Sequence, residues 1–291
     1  MFRCHFLTPS IRALRALNAA RALDIITAQE FSDRTRHLLG ALKRLPLFAG
    51  QLPHRGLWDQ GSAILGIHAA RQLGLLPPEQ FNSRITRLLH SLQTLPLPAT
   101  GVPNKAYSTT TAQMRQLDNT PDPNGTSGWS ALDTARFLMG LHVLRSHYPE
   151  YRESINRIVS RWKISQLVKD GWLYGNIPDS KGQTRLFQEG RLGYEQYAAQ
   201  SLQLWGIEAK NALHNPPVQT VEVDGIPLQV DRRNLENSGA TNYLTNEPYL
   251  LWGLEIGWSD TVKPQVLNLL CLIQFQLSKI HLPFPVIFAL V

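Results

Sequence analysis

The chain has 291 residues, of which 43% are hydrophobic and 18% charged, with a net charge of +7. That much apolar material builds a sizeable core and excludes a disordered chain. The two cysteines, Cys4 and Cys271, exclude a disulfide scaffold and a four-cysteine zinc module.

The positive charge is confined to the first part of the chain. Residues 1–120 contain 14 basic and 6 acidic side chains, whereas residues 121–291 contain 15 and 16. The basic residues are spread along predicted helices and accompany no nucleic-acid-binding motif. We therefore expect a solvated basic face and no nucleic-acid partner.

The chain begins with an internal repeat. A shift of 50 residues aligns Ala19-Ala20-Arg21 with Ala69-Ala70-Arg71, and it aligns Leu45-Pro46-Leu47 with Leu95-Pro96-Leu97. Residues 19–53 share 14 identities with their shifted counterparts. Each unit has the apolar spacing of two helices and must stack on its neighbours, because a helical hairpin cannot bury its apolar stripe alone.

Four further predicted helices begin with an acidic residue: Asp59, Asp133, Glu195 and Glu247. Alternating apolar residues on both sides of Asp224-Gly225 predict a small β-hairpin over residues 218–230. The stretches at the chain ends are interrupted by charged or proline residues, so we predict no membrane span.

No nucleotide-binding, nucleophile-elbow or metalloprotease motif is present, and the histidines lack metal-ligand spacing. We therefore predict no cofactor and no metal. The remaining candidate groups are carboxylates, amides and aromatic rings, which are the groups that bind and cleave sugars in proteins.

The densest group of such residues is the stretch 188–197, with Glu189, Arg191, Tyr194 and Glu195. Two carboxyl groups in different surroundings supply the acid and the base that glycosidic cleavage requires. The alternative for Glu195 is an ordinary charge at a helix N-terminus, with Arg191 as its partner. For Asp59 and Asp133 the alternative is helix capping.

Aromatic and amide side chains complete the candidate site. An aromatic ring can stack on the apolar face of a pyranose. The alternative for each ring is ordinary packing in the core. The candidates for substrate binding are Trp58, Asp59, Asn104, Lys105, Trp129, Arg191, Tyr194, Tyr243 and Glu247, with Trp252 as a further ring.

The ordered motifs Trp58-Asp59, Pro103-Asn104-Lys105-Ala106-Tyr107, Gly128-Trp129-Ser130-Ala131-Leu132-Asp133 and the stretch 188–195 resemble the bacterial domain-of-unknown-function family 3131. The match covers about residues 53–270. It implies an all-α (α/α)-barrel, a toroid of helical hairpins similar to six-hairpin, glycoamylase-like and β-1,2-glucanase enzymes. It also implies a periplasmic or extracellular location. A match that fades near Leu270 predicts an incomplete ring.

We therefore predict a hairpin repeat over residues 1–52, a barrel domain over 53–270 and a divergent apolar tail over 271–291. The predicted function is inverting hydrolysis of a bacterial polysaccharide or β-glucan, with Glu189 as general acid and Asp133 or Glu195 as base. A catalytically inactive glycan-binding protein and a helical protein-interaction scaffold are the two alternatives.

Overall fold

The computed structural model describes residues 27–43, 54–178, 184–214, 217–238, 247–258, 262, 264 and 266–268. The first helix of the N-terminal repeat, Tyr243 and the predicted tail lie outside these residues.

Helices make up most of the described chain. They are α1 (Ala28–Lys43), α2 (Leu57–Gln72), α3 (Pro78–Gln93), α4 (Ala131–His147), α5 (Pro149–Ser160), α6 (Tyr194–Gln203), α7 (Lys210–His214), α8 (Leu235–Ser238) and α9 (Glu247–Glu255), with a 3-10 turn at Ile164–Leu167.

Three small antiparallel sheets accompany the helices. The first joins β1 (His54–Gly56), β2 (Ala106–Ser108) and β3 (Met114–Arg115). The second joins β4 (Val168–Lys169), β5 (Trp172–Pro178) and β6 (Thr184–Gln188), and the third joins β7 (Val218–Val223) and β8 (Ile226–Asp231).

Helices α2, α4 and α6 run in the same direction side by side. A Cβ atom at Gly61 in α2 would touch the backbone of Arg136 in α4, and later in both helices the His68 and His147 rings lie 4.7 Å apart. In the same way, α4 contacts α6 first at Tyr197 and later at Leu204. The N-termini of the three helices therefore lie at one end of the layer.

Helices α3 and α5 form a second layer outside the first. Each begins at a proline, which tolerates the first helical position because its missing N–H has no intrahelical partner there. The buried residues of α3 are Phe81, Ile85, Leu89 and Leu92, a single stripe at helical spacing. That stripe joins a core formed chiefly with α4, which is buried on nearly every side.

The predicted β-hairpin is present, and the second helix of the predicted N-terminal repeat forms as expected. Helix α1 begins and ends 50 residues before α3, so the offset in sequence is an offset between matching helices. The β7–β8 hairpin turns at Asp224-Gly225, where both residues have positive φ. The class is helical as expected, but the first two sheets were not predicted, because most of their strands are short and none shows a regular alternation of apolar and polar residues.

Candidate functional site

Asp59, Asp133 and Glu195 lie in the first turns of their helices, but none of them is the N-cap residue. Gly56 is the N-cap of α2 and Ser130 that of α4, while Asp59 and Asp133 occupy the third helical position. The Ser130 hydroxyl accepts a hydrogen bond from the Asp133 N–H at 3.1 Å. The capping alternative was therefore wrong for both aspartates.

Glu189 directly follows strand β6, and its carboxyl group lies at the N-terminus of α4. The Glu189 N–H donates to the carbonyl of Leu173 on β5. Its Oε2 accepts hydrogen bonds from the N–H groups of Ala131 at 2.5 Å and Leu132 at 3.2 Å, and from the Ser130 hydroxyl at 3.2 Å. The Glu189 carboxyl oxygen thus satisfies helix N–H groups that have no partner within the helix, and the three donors orient the carboxyl group.

A glycine on the neighbouring strand makes room for this carboxyl group. A Cβ atom at Gly175 would lie 2.9 Å from both Cδ and Oε1 of Glu189. A larger residue at position 175 would have to displace the Phe187 ring, whose Cζ lies 2.5 Å from that Cβ, as well as the Glu189 carboxyl group.

Glu189, Asp133 and Asp59 form what we call the carboxyl cluster. Burial and the Asp133 carboxylate raise the pKa of Glu189 to about 7, although its three hydrogen bonds act in the opposite direction. Burial and the Asp59 carboxylate raise the pKa of Asp133 to about 6. Two neighbouring carboxyl groups thus titrate near neutral pH, as an acid–base pair requires.

Two cations accompany the cluster. Lys105 and Arg191 both lower the pKa of Asp133 and so favour its ionised form. The Lys105 ammonium lies 5.4 Å from the centroid of the Phe187 ring, and its backbone bridges Leu57 of α2 and Gly128 before α4. Burial lowers the pKa of Lys105, but Glu189 and Asp133 oppose that effect.

Two predicted platform residues meet beside the cluster. The rings of Trp58 and Tyr194 contact edge to face, with centroids 5.2 Å apart, and both are half-buried. The Arg136 guanidinium lies 5.4 Å from the centroid of the Trp58 ring. Arg136 itself is fully buried, where it pairs with Glu255 and donates to the Tyr197 hydroxyl. The rings of Trp58 and Tyr194 are therefore supported by a buried ion pair, and their partly exposed surfaces can contact a ligand.

Glu195 lies in different surroundings. Its side chain is 0% exposed, its Oε2 accepts from Arg233 at 2.5 Å, and its Oε1 accepts from Gln188 at 2.7 Å. The Leu173 N–H donates to the same oxygen at 3.3 Å. Glu195 thus does not join the carboxyl cluster, and its predicted partner Arg191 is replaced by Arg233.

Asn104 and Trp129 are buried and serve the fold. The Asn104 amide donates to the carbonyls of Ala106 and Arg115, and the Trp129 indole donates to the carbonyl of Tyr174. Trp129 is 3% exposed, so no face of its ring is open to a sugar. These two predicted binding residues shape the loops that carry Lys105 and β5.

Three predicted residues remain: Tyr243, Glu247 and Trp252. Glu247 is the first residue of α9, as its helix-opening position predicted, while its side chain and Tyr243 lie outside the described residues. Trp252 is half-buried and packs against the buried cluster of Leu65, Met139, Tyr197 and Leu251.

Three residues at the site escaped the sequence analysis: Ser130, Gly175 and Arg233. The pattern Ser130-x-x-Asp133 is a helix-capping signal and could have identified Ser130. No local pattern marks Gly175 or Arg233, because their roles depend on contacts with chain segments 14 and 38 residues away.

Within the described ranges, no group of three or more His, Cys, Asp or Glu side chains could hold a metal ion. In the same part of the chain, no helix has the length and apolar character needed to cross a bilayer.

Comparisons with known proteins place the chain in a family. No curated protein is significantly similar to it. A candidate glucoamylase from Bacteroides fragilis, known from a crystal structure, is 16% identical with a TM-score of 0.44; the match covers 62% of this chain and 46% of that one. The chain therefore matches less than half of that protein. A family model described as protein of unknown function (DUF3131) matches residues 11–57 and 55–276. Because these segments cover most of its length, the chain belongs to the DUF3131 family, as its motifs predicted.

Proposed function

We propose that this protein is a glycoside hydrolase that cleaves a bacterial polysaccharide or β-glucan by inversion. The observation that carries the proposal is the pair formed by Glu189 and Asp133. Glu189 is held at a helix N-terminus, has a pKa of about 7 and lies beside a second carboxyl group whose pKa is about 6. Near neutral pH Glu189 therefore retains much of its protonated form, whereas Asp133 is mostly ionised.

The reaction follows from these two protonation states. Oε2 of Glu189 is occupied by three donors, so the transferable proton belongs on Oε1, which faces Gly175. Glu189 gives this proton to the glycosidic oxygen as the bond between that oxygen and the anomeric carbon breaks. Ionised Asp133 accepts a proton from the water that attacks the anomeric carbon from the opposite face. The products are an alcohol and a sugar of inverted anomeric configuration.

The surrounding residues support binding of a sugar at this place. Trp58 and Tyr194 offer partly exposed rings, and Lys105 and Arg191 offer hydrogen-bond donors beside the acids. In this proposal Glu195 is a structural residue, and the base is Asp133 alone. In this proposal the inner helices α2, α4 and α6 belong to a toroid of helical hairpins, and the carboxyl cluster lies at its mouth; the parallel packing of these three helices supports that arrangement.

The test is sugar release from a panel of β-glucans and bacterial exopolysaccharides by the wild type, Glu189→Gln and Asp133→Asn. Loss of a general acid or base lowers kcat by about 10²–10⁴-fold. Glu150→Gln is the matched control, because Glu150 lies on the exposed start of α5. Proton NMR of the first product gives the anomeric configuration.

The wild type should show a bell-shaped pH profile, with its maximum between about 6 and 7, the pKa values of Asp133 and Glu189. Sugar release that survives Glu189→Gln would overturn the acid assignment. Glycan binding without release would favour the second candidate, a glycan-binding protein that uses Trp58 and Tyr194. Neither binding nor release would favour an interaction scaffold.

A further inference from the structure

Arg233 follows strand β8 and is bound to the last residue of that strand. Its Nη2 and Nε donate to Oδ2 of Asp231 at 2.7 and 3.2 Å, and Nε also donates to Oδ1 at 2.9 Å. The Arg233 N–H donates to the same Oδ1 at 2.8 Å. Both side chains are buried. The guanidinium is thus held by the β7–β8 hairpin on one side.

Its other side touches the loop that carries Glu189. Nη1 donates to Glu195, and the second oxygen of Glu195 accepts from Gln188, the residue before Glu189. A Cβ atom at Gly190, the residue after Glu189, would lie 2.3 Å from the same Nη1. Arg233 therefore acts on both chain neighbours of Glu189, on one through Glu195 and on the other by direct contact.

We propose that Arg233 is a positioning residue that holds Glu189 against the N-terminus of α4, which makes the β7–β8 hairpin part of the acid site. The kinetic consequence rests on the proposed function; the structural consequence does not. An arginine suits this position because its planar fork can serve Asp231 and Glu195 at once. A lysine has one ammonium group and cannot reproduce the two separate sets of contacts.

The first experiment measures hydrogen exchange at the Ala131 and Leu132 amides, which Glu189 protects by accepting their hydrogen bonds. Arg233→Met should raise exchange at these two amides at least tenfold and leave amides in the middle of α4 unchanged. Arg232→Met is the matched control, since Arg232 is the exposed neighbour and should change neither. A merely structural role would raise exchange along all of α4 or nowhere.

The second experiment separates positioning from burial of an unpaired charge. Glu195→Gln/Arg233→Met removes the guanidinium and one of the two carboxylates that it binds, Asp231 being the other, so it should recover part of the Tm lost in Arg233→Met while exchange at Ala131 and Leu132 stays fast. In a chain that releases sugar, kcat of both variants should fall about 10²-fold, the cost of a misplaced catalytic group, with KM nearly unchanged. Arg233→Lys should not rescue kcat.

The proposal is overturned if the double variant regains wild-type exchange and kcat, or if Arg233→Met leaves the two amides protected. If the wild type releases no sugar from any glycan, the proposed function fails, and the exchange measurement still decides whether Arg233 holds Glu189.

Discussion

Gly61 lets α2 approach α4, and replacing it tests the contact that brings Asp59 near Asp133. A Cβ atom at Gly61 would lie 2.5 Å from the carbonyl oxygen of Arg136, 2.7 Å from its carbonyl carbon and 2.8 Å from Cα of Phe137. All three are backbone atoms, so no side chain can move aside. Gly61→Ala therefore forces the two helices apart.

The magnitude follows from two opposing effects. Overpacking of this kind costs about 1–3 kcal/mol. Alanine recovers up to about 1 kcal/mol, because glycine is the poorer helix former. We expect a net loss of about 1–2 kcal/mol in the free energy of unfolding, which corresponds to a Tm lower by about 2–8 °C for a domain of this size.

Gly66 provides a matched control five residues later in the same helix. A Cβ atom there would meet nothing within 4 Å, so Gly66→Ala should raise Tm by about 1–4 °C. Thermal unfolding followed by circular dichroism measures both variants. The predicted result is shifts of opposite sign. If both variants gain stability, α2 and α4 do not meet at Gly61, and the proximity of Asp59 to Asp133 loses its basis.

Two further predictions concern the α4 N-terminus. The raised pKa of Glu189 means that its contribution to stability is present below its ordinary value of 4.5 and is lost as the pH rises through about 7. Glu189→Gln should therefore gain stability relative to the wild type between pH 4.5 and 7 in urea unfolding, and a constant difference would contradict the shift. Ser130→Ala removes the cap of α4 and should cost about 1 kcal/mol at pH 5; an unchanged urea midpoint would show that Ser130 is not a cap.

Local patterns predicted the helices well. The acids at Asp59, Asp133, Glu195 and Glu247 all lie in first turns, because helix starts favour negative charge and this preference is visible within a few residues. The β7–β8 hairpin was equally predictable from Asp224-Gly225. These features depend on chain neighbours, which the sequence displays directly.

The assembly of the site was less predictable, because it depends on contacts between distant segments. Trp129 has the same aromatic character as Trp58, yet one ring is buried against β5 and the other is partly exposed beside Tyr194. Phe187, which lies beneath the Lys105 ammonium, belongs to a short strand that the sequence analysis did not predict. Composition identified the residue types of the site, and tertiary contacts selected among them.

Glu189 and Glu195 show how tertiary contacts give similar residues different partners, although burial raises the pKa of both. They are six residues apart, and both accept several hydrogen bonds. Glu195 faces the guanidinium of Arg233 and is 0% exposed, so neither a sugar nor water reaches it. Glu189 faces another carboxyl group, and the helix N–H groups that hold it do not offset burial and repulsion, since its pKa rises to about 7. A carboxyl group that exchanges a proton near neutral pH and remains partly exposed can act on a substrate. A carboxyl group enclosed by arginine can only support its neighbours, and for this reason the two glutamates have separate roles in the proposed reaction.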